Sequence, residues 1–189
     1  MKAREIRPTV VVPDTAPLVH LAAGDALDVL TGLGRVVVPD VVVLEATFHA
    51  GKPHAREIAD WVRRGEEPGS NRPVEVAESE FGPLYLLAMR EGVRAPRNAG
   101  EIAIAAWLAE NLREIGGPAL VVYENGRVPN LLLREGVAAT VAVATTRNLL
   151  TLAEERGLIP SAAAVWRRIV AAAPGANPAS ALTLIEPSP

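Results

Sequence analysis

The sequence predicts an α/β domain, a three-layer α/β/α sandwich around a mainly parallel central sheet. Two patterns point there. Short, fully apolar, β-branched runs at residues 9–12 and 35–38 fit strands buried on both faces, and strand-like and helix-like segments alternate along the chain. Composition supports both: 49% of the 189 residues are hydrophobic but only 4% are aromatic, so the core is built mainly from Val, Leu, Ile and Ala. The length suits one domain, taken as residues 1–173, followed by a Pro/Ser-rich tail at 174–189.

Each element follows from local chemistry. Residues 9–12 form the first strand, closed by Pro13-Asp14-Thr15, and Pro17 is placed to open a helix through about Ala23. Residues 25–30 suit another short helix. The second strand, 35–38, again ends in Pro-Asp, with Asp40 the natural cap of a helix from Val41 to about Ala50. Residues 53–65 read as a helix with Ile58, Trp61 and Val62 on one side, then a Gly/Pro/Glu loop at 65–71 and a weaker strand at 74–76. Helices are expected at 83–91 and 99–114, the latter stopped by Gly116-Gly117-Pro118 before a strand at 119–123. A helical segment near 129–135, a strand near 138–143, and helices near 147–156 and 162–172 complete the domain. Residues 181–185 suit a late strand or docking segment.

Composition also excludes function classes. With no Cys there is no disulfide scaffold, thiolate zinc site or cysteine nucleophile, and such a chain suits a reducing cytoplasm. Lys occurs only at 2 and 52, and Gly-Lys52-Pro is not a phosphate-binding Gly-Lys-Ser/Thr loop. The absence of any later Lys disfavours a phospho-acceptor receiver domain. Nineteen Lys and Arg against 22 Asp and Glu argue against gripping nucleic acid by net charge alone. The start of the chain is charged, and its apolar run at 10–12 is shorter than the ~7–15 residues of a signal-peptide core. Pro174, Gly175, Asn177 and Pro178 break the uncharged stretch near the end, so no membrane span is expected and the protein is read as soluble and cytoplasmic.

The acids carry the functional signal. In open parallel sheets ligands gather beyond the carboxyl ends of the strands. Asp14 follows the first strand and Glu124-Asn125 follows the strand at 119–123, so both are candidates for one site. Glu45 shares a helix face with Val41, Leu44 and Phe48, and Glu101 shares one with Ile104 and Leu108; a carboxylate on a core-facing side needs a partner. Each also has a plainer reading. Asp14 can cap a helix. Glu101 in a first turn gains ~0.3–1 kcal/mol from the helix dipole. Glu45 leans to solvent if the register differs, and residues 123–127 suit a type I′ hairpin. Together, several acids at one sheet edge repel unless a hard cation such as Mg²⁺ or Mn²⁺ lies among them. Such an ion can polarise a phosphoryl oxygen and activate water, which suggests phosphodiester hydrolysis. His49 and His54 are five apart, not the four of a helical zinc pair, and with His20 are read as surface or packing residues. Trp61, Trp107 and Trp166 are read as core anchors. Arg97, Arg127 and Arg147 lie near the site segments and are candidates for phosphate contacts, with solvated surface the plainer reading of each.

Val-Val-Pro-Asp14-Thr15-Ala-Pro17-Leu18, followed by Val-Val-Val-Pro39-Asp-Val-Val-Val-Leu-Glu45, resembles the PIN-domain family. Asn98-Ala-Gly100-Glu101-Ile-Ala-Ile-Ala resembles the family's third acid in the Gly-Glu form of one branch. Thr145 to Ile159, with Leu150, Ala153 and Glu155-Arg156-Gly157-Leu158-Ile159, looks like that branch's C-terminal extension. The resemblance covers most of residues 9–160. It implies a PIN-like α/β/α domain with an acidic Mg²⁺ or Mn²⁺ site and ribonuclease activity on single-stranded RNA. It also implies service as the toxin of a bacterial toxin–antitoxin pair, with a cognate antitoxin and a homodimer as partners. By position, Asp14, Glu45 and Glu101 match the first three metal-site acids, and Thr15 the neighbouring hydroxyl residue. The fourth lies in an Asp-rich turn in the family, and here that turn reads Glu124-Asn125. Either Glu124 takes over, or Asn125 ligates as a neutral carbonyl, or the site is impaired. Two other functions compete with a metal-dependent endoribonuclease: a PIN-like nucleic-acid or protein binding module without turnover, and an unrelated α/β enzyme acting on a small phosphorylated molecule.

Overall fold

Val-rich runs too short to be helices pair side by side at the centre of the chain's fold. In the computed structural model, which describes residues 7–124, 141–173 and 176, they form a five-stranded parallel sheet. The strands are β1 (Val10–Pro13), β2 (Arg35–Pro39), β3 (Val74–Ala77), β4 (Ala119–Val122) and β5 (Val141–Ala144), in the order β3-β2-β1-β4-β5. Every residue of β1, β4 and β5 is buried. Because successive side chains point to opposite faces, both faces must be covered, and helices cover them. The result is the three-layer α/β/α sandwich expected from the alternation of elements.

The helices are α1 (Thr15–Ala23), α2 (Asp28–Leu33), α3 (Asp40–Thr47), α4 (Ala55–Glu66), α5 (Gly82–Glu91), α6 (Ala99–Ile115), α7 (Thr146–Glu155) and α8 (Ala162–Ala172). One core cluster joins the strands to Leu18, Leu21, Leu30, Ile58, Leu108, Leu149 and Ile169; Trp61 and Trp166 are buried in it and Trp107 packs against it. A smaller cluster of Val41, Tyr85, Ala99 and Ala103 binds α3, α5 and α6 together. No helix among the described residues is long and apolar enough to cross a membrane.

Several boundaries differ from expectation. The helix expected at 25–30 is instead α2, because Asp25 adopts a left-handed conformation (φ 50) and Ala26 N–H closes back onto Leu21 O at 2.8 Å. The helix opened by Asp40 ends at Thr47, not near Ala50. The fourth strand stops at Val122, one residue early, and the fifth is described from Val141 to Ala144. The helix expected near 129–135 and the segment at 181–185 lie outside the described residues.

Strand order decides where a site can form. From β1 the chain moves one way to β2 and β3, then crosses back to place β4 on the other side of β1. The reversal falls between β1 and β4, and the crevice at their carboxyl ends is the favoured ligand position in such sheets.

Candidate functional site

Pro13 pairs in register with Val122, so Asp14 and Glu124 leave adjacent strands at the same edge, the two sides of the crevice. Asp14 N–H donates to Val122 O at 2.8 Å, which continues the ladder by one bond and fixes the residue where α1 begins. Its Oδ1 accepts from Thr15 N at 2.8 Å, so the helix-capping reading of Asp14 holds. Capping and membership of an acidic site are compatible here: Asp14 is also 5% exposed, among other carboxylates.

Glu45 enters from α3. Thr15 Oγ1 donates to Glu45 Oε2 at 2.6 Å, tying α3 to the first turn of α1 and turning the carboxylate inward rather than to solvent. Lys52 Nζ donates to the Glu45 backbone carbonyl from the turn beyond α3. Glu101 enters from the first turn of α6 and is buried. The preceding Gly100 packs on Glu45 so closely that a Cβ there would lie 3.0 Å from Glu45 Oε2. Glu124 lies two residues beyond β4, where its Oε1 accepts from Thr146 N at 3.0 Å at the start of α7, with His20 Nδ1 3.4 Å away.

Charge follows from this geometry. Burial pushes Asp14 up to about 7, with the charges of Glu101, Glu45 and Glu124 adding to it and the Thr15 N–H opposing. Burial also raises Glu45; the Thr15 hydroxyl and Lys52 oppose the rise, and Glu101 adds to it. Tyr85, buried beside Glu45, is pushed up to about 12 by burial and by that carboxylate. Glu124 goes the other way. Burial would raise it, but His20 and Thr146 beside it hold it below the ordinary carboxylate range.

The four acids singled out in the sequence therefore interact electrostatically, with Asp14 feeling the other three. They are not a closed ligand set as placed: among the described residues, no three His, Asp or Glu groups are close enough together to hold one metal ion. The donor chemistry nevertheless fits Mg²⁺ or Mn²⁺. All donors are carboxylate oxygens, burial and neighbouring charge disfavour the charged forms of Asp14 and Glu45, and a hard cation that keeps several of its own waters does not need every carboxylate in direct contact.

Of the remaining candidates, Thr15 is in the site and Arg97 is exposed just ahead of α6. Asn125 and Arg127 lie outside the described residues. Asp40, a fifth acid at the strand edge, is engaged structurally: its Oδ1 accepts from Val41 N at 2.7 Å and from Ser79 Oγ at 2.6 Å. A cavity of about 670 Å³ lined by Asp28, Trp61, Arg64 and Arg72 contains none of the four acids and lies before the amino ends of β2 and β3. Sequence reasoning missed His20, Lys52, Tyr85 and Thr146. Only His20 had a visible signal, a polar residue between the buried Leu18 and Leu21 on α1.

Comparison with family models, with curated proteins and with solved structures gives no match to this chain.

Proposed function

We propose that this protein is a metal-dependent endoribonuclease of PIN type, which hydrolyses phosphodiester bonds in single-stranded RNA. One observation carries the reading: Asp14 from the end of β1, Glu45 from α3 and Glu101 from α6 meet in one largely buried acidic site, where their charges repel, at the switch point of a parallel sheet. Asp14, Glu45 and Glu101 would hold Mg²⁺ or Mn²⁺, and the ion would supply charge stabilisation to the phosphoryl group and activate water. The chain's own residues do the rest. Thr15 orients Glu45, Asp14 caps α1 and so is fixed in place, and Glu124 remains an anionic acceptor beside the crevice. Arg97 and Arg127 are candidates for phosphate contacts. Service as a toxin, with an antitoxin or a second copy as partner, rests on the family resemblance alone.

The competing reading is a PIN-like binding module without turnover. The absence of a closed ligand set among the described residues favours it. The test is single-turnover cleavage of a mixed-sequence single-stranded RNA with and without millimolar Mn²⁺. Metal-dependent cleavage abolished by Asp14→Asn supports the nuclease, whereas RNA binding without cleavage and without a metal response replaces it with the binding module.

A further inference from the structure

His20 Nδ1, Thr146 Oγ1 and Trp166 Nε1 are buried without a hydrogen-bond partner among the described residues. His20 and Thr146 flank Glu124, and Trp166 meets the His20 ring edge-on, with centroids 6.3 Å apart and planes at 84°. Burying a bare polar nitrogen is costly, because its hydration is lost with nothing in exchange. A leucine at this position, like Leu18 and Leu21 beside it, would pack without that cost. His20 is 6% exposed, and Trp166 from α8 limits how its ring can turn. What Nδ1 faces is Glu124 Oε1, at 3.4 Å, without the geometry of a formed hydrogen bond. Functional hydrogen bonds are often long before a site is loaded and tighten when it fills.

We propose that His20 is a positioning residue for Glu124: its Nδ1–H and the Thr146 N–H act on the same oxygen, Oε1, and together set how this carboxylate sits beside Asp14. Glutamate has one more rotatable bond than aspartate, so an acid placed here needs more restraint to hold a useful orientation. Thr146 supplies one restraint from the start of α7, and His20 supplies the second from α1, across the crevice. The consequence for turnover rests on the nuclease reading; the pairing itself does not.

Two measurements test it. In the full-length, metal-free protein at neutral pH, long-range ¹H–¹⁵N NMR should show a proton on His20 Nδ1 whose signal moves in Glu124→Gln. In Mn²⁺ with single-stranded RNA, His20→Leu should lower the single-turnover rate roughly 10- to 100-fold with little change in KM, as is usual when a supporting hydrogen bond is lost. His20→Asn, which returns an N–H near the Nδ1 position, should recover most of it. A folded protein with Nδ1 unprotonated overturns the proposal, as does His20→Leu cleaving at the wild-type rate. An Nδ1–H that reports on Glu124 in a protein that cleaves no RNA supports the pair and overturns the nuclease reading instead.

Discussion

Glu45 and Gly100, 55 positions apart, meet so closely that any side chain on Gly100 would press on the Glu45 carboxylate: a Cβ there lies 3.0 Å from Oε2 and 3.4 Å from Val42 Cγ2. The glycine thus lets α6 deliver Glu101 beside Glu45. The Gly-Glu pair acts as a unit, with one residue making room and the next placing the charge.

Gly100→Ala should accordingly separate stability from metal affinity. Alanine gains up to about 1 kcal/mol of helix propensity, while crowding Glu45 costs about 1 kcal/mol or more, so the net stability change should be small. Mn²⁺ affinity should fall, because the carboxylate must move by a few tenths of an ångström. Urea unfolding and titration calorimetry on the same variant check both halves.

Thr15→Val tests the Thr15–Glu45 contact at nearly constant volume. Losing the 2.6 Å hydrogen bond should cost about 1–2 kcal/mol at pH 8 and less at pH 4, because a carboxylate accepts more strongly in its charged form. Thr15→Ser should restore it. Denaturant unfolding of the three proteins at the two pH values reads this directly.

The metal-free protein should lose stability as pH rises from about 4 to 7. Asp14 is raised from 3.8 to about 7 in the fold, so across that window the folded state binds more protons than the unfolded state, and stability present below the unfolded value is lost through the folded one. Glu45, also raised, acts in the same sense. Glu124 is lowered and opposes them, with stability present above its unfolded value of 4.5 and lost as pH falls through its folded one. Asp14→Asn keeps a capping oxygen and removes the buried charge, so without metal it should be more stable than wild type at pH 8, by a few kcal/mol at most. Melting curves from pH 4 to 9 should show the two proteins diverging as pH rises.

Divalent metal should reverse that ranking. At 100 times its dissociation constant, bound Mn²⁺ stabilises the folded state by about 2.7 kcal/mol. Wild type should show this rise in melting temperature, and Asp14→Asn and Glu101→Gln should lose most of it. An unchanged melting temperature in millimolar Mn²⁺ would instead favour the binding module.

At the fourth position, Asn125→Asp should increase cleavage by adding a carboxylate to a cation site, and Glu124→Gln should lower it. If Glu124→Gln abolishes cleavage while Asn125→Asp changes nothing, Glu124 is the working acid. Single-turnover rates in Mn²⁺ decide between them.

Much of this architecture was legible along the chain because its signals are local. Val10–Val12 and Val36–Val38 are pure β-branched runs, and a short run of that kind with no polar face, closed by Pro, fits a strand covered on both sides. Pro-Asp after each of them marks where strand gives way to helix, and Asp14, Glu45 and Glu101 stand out as acids at positions that pack inward. The boundary of α2 was less legible, since it depends on Asp25 taking a left-handed conformation that Asp tolerates but does not require.

The sequence by itself determined the α/β class, the strand and helix alternation, and the identity of the acids to watch. Only the tertiary structure decided that β4 lies beside β1, which brings Asp14 and Glu124 to one crevice, and that His20 faces Glu124 across 104 positions of chain. It also decided that Gly100 is a matter of room rather than flexibility, and that Asp40 is tied to Ser79 while Asp14 feels Glu101, Glu45 and Glu124. The physical reason is range. Hydrophobic periodicity and capping act within a few residues and leave a mark in the sequence, whereas the electrostatic environment of a carboxylate is set by whichever distant groups the packed sheet brings within a few ångströms.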